Sequence, residues 1–191
     1  YKKQLKILKS MKIEKELGNV YGNMGLIYLN QSNYSKAMEY FQKNLEIAEK
    51  NDDKISLNRV LGNIGLIYAS QCDYENALIY HKRKLEIANE LGMISEKGKA
   101  LSNMGIVYWY QAKFEDAKTA FEKNLEIARE LGDKQEISIA VGNVGNVYNY
   151  IGDFENAMKC YEEDLAISKE LNNKKGIGKA IGNIGIIYYK K

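Results

Sequence analysis

Gly62-Asn63-Ile64-Gly65-Leu66-Ile67-Tyr68 decides the fold, because it returns every 40 residues. Residues 22–28, 102–108, 142–148 and 182–188 repeat it with conservative changes and no insertion. Asn23, Asn63, Asn103, Asn143 and Asn183 form one column, and Gly25, Gly65, Gly105, Gly145 and Gly185 another. Tyr28, Tyr68, Tyr108, Tyr148 and Tyr188 form a third. Outward from the core stretch come Tyr34, Tyr74, Phe114 and Phe154, then Ala37, Ala77, Ala117 and Ala157. Leu45, Leu85, Leu125 and Leu165 follow, each with an Ile two residues later. A gapless period of this length marks a chain of stacked supersecondary units.

Each unit reads as two helices. In the second, the first helix runs from about Lys54 to Ser70, with Leu57, Leu61, Ile64, Gly65 and Tyr68 on one stripe. Gln71-Cys72-Asp73 is a polar turn, and Asp73 is a good N-cap ahead of Glu75. Asn33 and Asp153 take the cap position elsewhere, and Lys113 breaks the pattern. The second helix runs from about Tyr74 to Leu91, with Ala77, Leu78, His81, Leu85 and Ala88 expected to be buried. Gly92 and Gly132 supply a left-handed stop, and Asn51 and Asn172 are expected to serve in its place. Gly62 and Gly65 each cost about 1 kcal/mol inside a helix, so a closely packed neighbour is expected to recover it. A phosphate cradle is rejected, because these glycines lie within a helix rather than after a strand.

Composition narrows the function. The chain has 191 residues, 28 Lys+Arg against 25 Asp+Glu, one His, two Cys and no Pro. A net charge of +3 is too small for a dedicated nucleic-acid binder. No apolar run is long enough to span a membrane, so no membrane partner is expected. One His and two distant Cys leave no metal cluster, and no nucleophile–base pair or phosphate loop is visible. The reading is therefore not an enzyme, with no cofactor. Cys72 and Cys160 read as reduced thiols, and His81 as a packed core residue.

The columns resemble the tetratricopeptide repeat (TPR) family. Gly25, Tyr28, Ala37 and Phe41 match its spacing, as do Gly65, Tyr68, Ala77 and His81, with His for the aromatic. Gly105, Tyr108, Ala117 and Phe121 match in the third unit, and Gly145, Tyr148, Ala157 and Tyr161 in the fourth. Two departures stand out. The family's later small residue falls on Asn44, Lys84, Asn124 and Asp164, and its helix-ending Pro on Glu49, Asn89, Arg129 and Lys169. The period also exceeds the usual 34 or so, which lengthens the second helix. This form is similar to the repeats of Pins-type polarity adaptors, kinesin light chains and bacterial TPR signalling proteins. The resemblance implies an all-α, right-handed superhelical solenoid of antiparallel helix pairs. Full repeats fall at 14–53, 54–93, 94–133 and 134–173. Residues 1–11 align with the end of a preceding repeat and 174–191 with the first helix of a further one. The chain therefore reads as one array, a fragment of a longer protein. Ile184, Ile187 and Tyr188 are expected to lie open for end-to-end self-association.

The resemblance also implies that first helices line a concave groove. The lining columns begin at Asn19, Gly22, Asn23, Leu26, Leu29 and Asn30. An amide is both donor and acceptor, so the Asn23, Asn63, Asn103, Asn143 and Asn183 ladder fits an extended peptide backbone. The alternative is that each Asn bonds the neighbouring repeat's backbone and sets the superhelix; both readings stand. Arg59, Lys99 and Lys179 share a column, and Trp109, Tyr110, Asn146 and Tyr150 mark the third and fourth units. A basic and aromatic groove favours an acidic or amphipathic peptide. The expected function is a cytoplasmic interaction scaffold for a peptide or partner helix. The alternatives are a sensor segment whose effector lies outside this chain and a self-stacking assembly module.

Overall fold

The computed structural model describes residues 14–190, and the expectation for residues 1–11 lies outside them. Every element among the described residues is a helix: α1 (Glu14–Asn30), α2 (Tyr34–Lys50), α3 (Lys54–Ser70), α4 (Tyr74–Glu90), α5 (Ile94–Tyr110), α6 (Phe114–Leu131), α7 (Lys134–Tyr150), α8 (Phe154–Glu170) and α9 (Lys174–Lys190). Short turns join them, and within each unit successive helices run antiparallel. The chain divides into two compact units, residues 1–93 with α1–α4 and residues 94–191 with α5–α9.

The caps follow the sequence. Asn33 accepts from the Lys36 N–H at 3.2 Å, Asp73 from Asn76 at 3.2 Å and Asp153 from Asn156 at 3.1 Å. Lys113 makes no side-chain cap bond. Gly92, Gly132 and Asn172 take left-handed backbone at φ 64°, 66° and 52°. In the first repeat Asp52 does so, at φ 49°, and not Asn51 as expected. Asn51 stays at φ −97°, its amide donating to Ile47 O at 2.7 Å. The stop belongs one residue later, in the column of Gly92.

The first unit's core joins Ala37, Phe41, Val60, Ile64 and Ile67. The second unit has two clusters, one around Ala117, Phe121, Val144 and Val147 and one around Ala157, Tyr161 and Ile187. The Gly column makes this packing possible. A Cβ on Gly25 would lie 2.5 Å from the Phe41 ring, and on Gly105 2.5 Å from Phe121. His81 and Tyr161 fill the same place against Gly65 and Gly145, at 2.6 and 2.8 Å. Burying such a ring returns about 1.5–3 kcal/mol, which offsets the glycine's helix cost.

Two expectations about burial, at Leu85 and at Ile187, need correction. Leu85 is only half-buried, while Lys84 beside it is 4% exposed. Asn44, Lys84, Asn124 and Asp164 form a buried polar column. The Tyr28, Tyr68, Tyr108 and Tyr148 rings are half-buried, packed on the core rather than inside it. Ile187 is fully buried under α8, so of the three residues expected to lie open Tyr188 is exposed and Ile184 half-buried.

Candidate functional site

The first helices carry the predicted lining columns to one side of each unit. In the first unit a cavity of about 360 Å³ opens between α1 and α3. Asn19, Asn23 and Leu26 of α1 line it with Ser56, Arg59 and Asn63 of α3. Arg59 is exposed and makes no ion pair among the described residues. The turn of sequence that places these groups is simple. Residues 19, 23 and 26 recur at spacings of four and three along α1, and 59 and 63 repeat that step on α3.

In the second unit a cavity of about 220 Å³ lies between α5 and α7. Its walls are Ile106, Trp109, Tyr110, Phe121, Asn143 and Asn146. Tyr150 meets Trp109 edge-on, with centroids 5.3 Å apart and planes at 73°. Phe114 joins both rings, 5.4 Å from Trp109 and 4.0 Å from Tyr150. The cluster leaves Tyr110 and Tyr150 largely exposed beside the cavity.

The Asn column divides. Asn63, Asn103 and Asn143 are half-buried and Asn23 is exposed, and none of the four makes a side-chain hydrogen bond among the described residues. The expected alternative, an amide bonded to the next repeat's backbone, does not occur at these four. Asn183 differs: its amide nitrogen donates to Asn146 Oδ1 at 3.5 Å. The same oxygen accepts from the Tyr161 hydroxyl at 3.0 Å, whose pKa burial pushes up to about 12. Asn146 therefore serves α8 and α9 as well as the cavity.

The basic column is less uniform than its sequence. Lys99 donates to Glu96 Oε1 at 2.8 Å, one turn back on α5, which neutralises it. Lys179 is exposed on α9, its ammonium 3.9 Å from where a Cβ on Gly142 would stand. Arg59 alone of the three stands in the first unit. Burial pushes the Cys160 thiol up to about 11, which keeps it protonated at neutral pH.

Three lining residues of the first-unit cavity fall outside the expected columns: Ser56 and Val60 on α3, and a third on the other helix layer. Asn44, on the second helix α2, reaches the first-unit cavity. The signal was present, since a polar side chain there stands where the family keeps a small one. A groove assigned only to first helices hid it.

These features define a helical repeat protein with open, polar-lined cavities. The tetratricopeptide repeat family model matches residues 16–90 and 96–170, so the chain belongs to the TPR family. No curated protein matches it. Among solved structures it is similar to BtubC (BKLC) from P. vanneervenii, with TM-score 0.83 and 18% identity over 96% of this chain and 77% of that one. A STAND protein with a TPR sensor from Pyrococcus horikoshii gives TM-score 0.85 and 20% identity over 92% of this chain and 28% of that one. A Rap protein complexed with Competence and Sporulation Factor gives 0.73 and 20%, over 100% of this chain and 53% of that one. At these identities the likeness is one of fold, an all-α TPR solenoid. No helix among the described residues is long and apolar enough to cross a membrane.

Proposed function

We propose that the chain is an interaction scaffold that holds an extended peptide or a partner's helix along its first helices. The observation that carries this is that the first helices of each unit hold half-buried amides, Asn63 in one and Asn103 and Asn143 in the other, with no side-chain hydrogen bond among the described residues. A half-buried amide left open on a ligand-facing column is matched by a peptide backbone of any sequence. Trp109, Tyr110 and Tyr150 supply an aromatic anchor for one side chain of that peptide. Arg59 and Lys179, unlike Lys99, remain available to favour an acidic ligand. The reading places the protein in the cytoplasm, with a protein partner and no nucleic acid.

A sensor role within a larger signalling protein is the second reading. The fold is shared with a STAND protein that carries a TPR sensor, of whose whole length this chain spans 28%, and with a Rap protein solved with a bound factor. In that case groove occupancy would set the output of an effector elsewhere. Self-stacking, the third reading, would use Ile181, Tyr188 and Tyr189, all exposed on α9, and would show as a mass that rises with concentration.

The test compares the chain with its Asn103→Ala/Asn143→Ala variant in a pull-down from the source organism, read by mass spectrometry. A partner retained by the native chain should be lost by the variant, each lost hydrogen bond costing about 1 kcal/mol or more. The melting temperature should hold within a few degrees, because neither amide makes a side-chain hydrogen bond among the described residues that the substitution would remove. A collapsed melt, or identical partners for both proteins, would reject the amide clamp.

A further inference from the structure

The second unit holds another cavity, of about 230 Å³, where α5 and α7 begin and α6 ends. Ser95 and Gly98 of α5 and Ile127 and Leu131 of α6 line it, with Asp133 and Glu136 at the start of α7. Gly98 keeps it open: a Cβ there would stand 3.0 Å from Asn124 Oδ1 and 3.2 Å from Ile127 Cγ2. Asn124 lines the cavity behind that glycine and is 3% exposed. Its Nδ2 is buried with no hydrogen-bond partner among the described residues, and its Oδ1 makes no bond there either. A buried amide in that state is costly unless something from outside completes it.

The charges around this cavity do not balance. Lys99 lines it but is already held by Glu96, at 2.8 Å. Glu136 stands in the column of Glu96, and Ile139 in the column of Lys99, so the fourth repeat keeps the acid and loses its lysine. Glu136 is half-buried and makes no ion pair or side-chain hydrogen bond among the described residues. Asp133 uses Oδ1 to cap α7, accepting from the Gln135 and Glu136 N–H groups at 3.0 and 3.1 Å, and has no ion pair there. The dipole of α7 favours both carboxylates by up to about 1 kcal/mol each, but it supplies no counter-charge.

A ligand that completes this cavity brings a cation for Glu136 and Asp133 and an acceptor for Asn124 Nδ2. A lysine side chain has the cation but holds its nearest acceptor, the main-chain carbonyl, at the far end of its stem. A free amino terminus has both together, an ammonium with its own carbonyl oxygen immediately beside it. That ammonium is charged at neutral pH. We infer that the cavity seats the amino-terminal residue of a partner peptide. Its ammonium donates to Glu136 and Asp133, its carbonyl oxygen accepts from Asn124, and an aliphatic side chain lies on Ile127 and Leu131. The volume suits one residue. None of Asn63, Asn103 and Asn143 lines this cavity, so the inference does not depend on the amide ladder.

The test titrates the isotope-labelled chain with leucyl-glycyl-glycinamide and with its N-acetyl form, followed by NMR at neutral pH. The free amine should shift the resonances of Ser95, Gly98, Asn124 and Glu136 saturably, and acetylation should abolish the effect. That comparison needs no variant, so it stands whatever any substitution does to folding. Glu136→Gln should weaken binding roughly tenfold, as loss of a bond to a charged group does, and Asn124→Ala should act in the same direction. Lys99→Met should tighten it, because a like charge leaves and Glu96 is freed. Weaker binding by Lys99→Met would show that the cavity takes an anion and would overturn the inference. So would equal shifts from the acetylated peptide, which would mean an apolar seat only, or no shift from either peptide. Leucine itself, if it bound more tightly than the peptide, would replace the chain terminus with a free amino acid and overturn the peptide assignment. The Asn103→Ala/Asn143→Ala variant should bind the peptide as the native chain does. Loss of the pull-down partner and loss of this binding are therefore separate outcomes.

Discussion

Ala112 sits at φ 58°, where an L side chain crowds its own backbone. Ser32, Cys72 and Gly152 hold the same turn position in other repeats, at φ 56°, 61° and 84°. Only Gly152 does so without a Cβ. The next residue compounds the defect, because Lys113 caps α6 with no side-chain acceptor. The fourth repeat writes the turn as Gly152-Asp153, with both problems solved. Left-handed backbone costs an L residue roughly 1–2 kcal/mol, partly returned by the added freedom of glycine when unfolded. A missing cap costs about 1 kcal/mol. Ala112→Gly with Lys113→Asp should therefore stabilise the chain by about 1–2 kcal/mol, read from urea unfolding at neutral pH. No gain would mean that this turn relaxes in solution. Sequence alone exposed the cap, since Asp and Asn announce their role. It did not expose the turn's backbone, because Ser, Cys and Ala carry no sign of positive φ.

At the scale of the helix pair, period and partner were unequally legible. Helix limits came within a residue or so, because caps and 40-residue columns fix them. The Gly columns announced close packing but not what lies against them. The Gly25 column meets a ring, whereas the Gly22 column meets a polar side chain, Asn44, Lys84 or Asp164. That polar column was read as a departure from the family pattern and left unburied. Its burial depends on which group faces it across the pair. Gly18 faces Asn44 and Gly98 faces Asn124, whereas Asn58 faces Lys84 and Ser138 faces Asp164. A large tenant with a charge is met by a partner that bonds it, and a neutral amide by glycine. Asn58→Gly should then cost about 2–3 kcal/mol, since a buried ammonium loses an acceptor. Asn58→Gly with Lys84→Asn recreates the pairing of the first and third repeats and should recover most of that loss. A double-mutant cycle by chemical denaturation measures the coupling. Additive effects would show that the column is not matched pair by pair.

A repeat array is held by contacts between neighbours, so a weak point stays local. Surface charges already mark the order of the helices. Glu49 pairs with Arg83 in the first unit, and Arg129 with Glu163 in the second, at the same two columns with the signs exchanged. Such pairs are worth less than about 1 kcal/mol each, so they bias register more than stability. His81 is the larger asymmetry. It is fully buried where other repeats place Phe or Tyr, and among the described residues neither ring nitrogen has a hydrogen-bond partner. Burial, with a smaller contribution from the Lys84 charge, lowers its pKa to about 4. The ring is neutral in the fold and titrates near 6.5 when unfolded. Its contribution is complete above that value and fades as pH falls toward 4, by about 3 kcal/mol in all. Acid should therefore open the α3–α4 pair first. Hydrogen exchange at pH 5 against pH 7.5 should show protection falling in residues 54–90 before residues 114–150, after correction for the intrinsic exchange rate. His81→Phe, the residue found at positions 41 and 121, should remove that difference and flatten the acid limb of the stability curve. Uniform loss of protection along the chain, or an acid limb unchanged in His81→Phe, would assign acid sensitivity to the many surface carboxylates instead. The array would then respond to pH as a whole rather than from one imidazole.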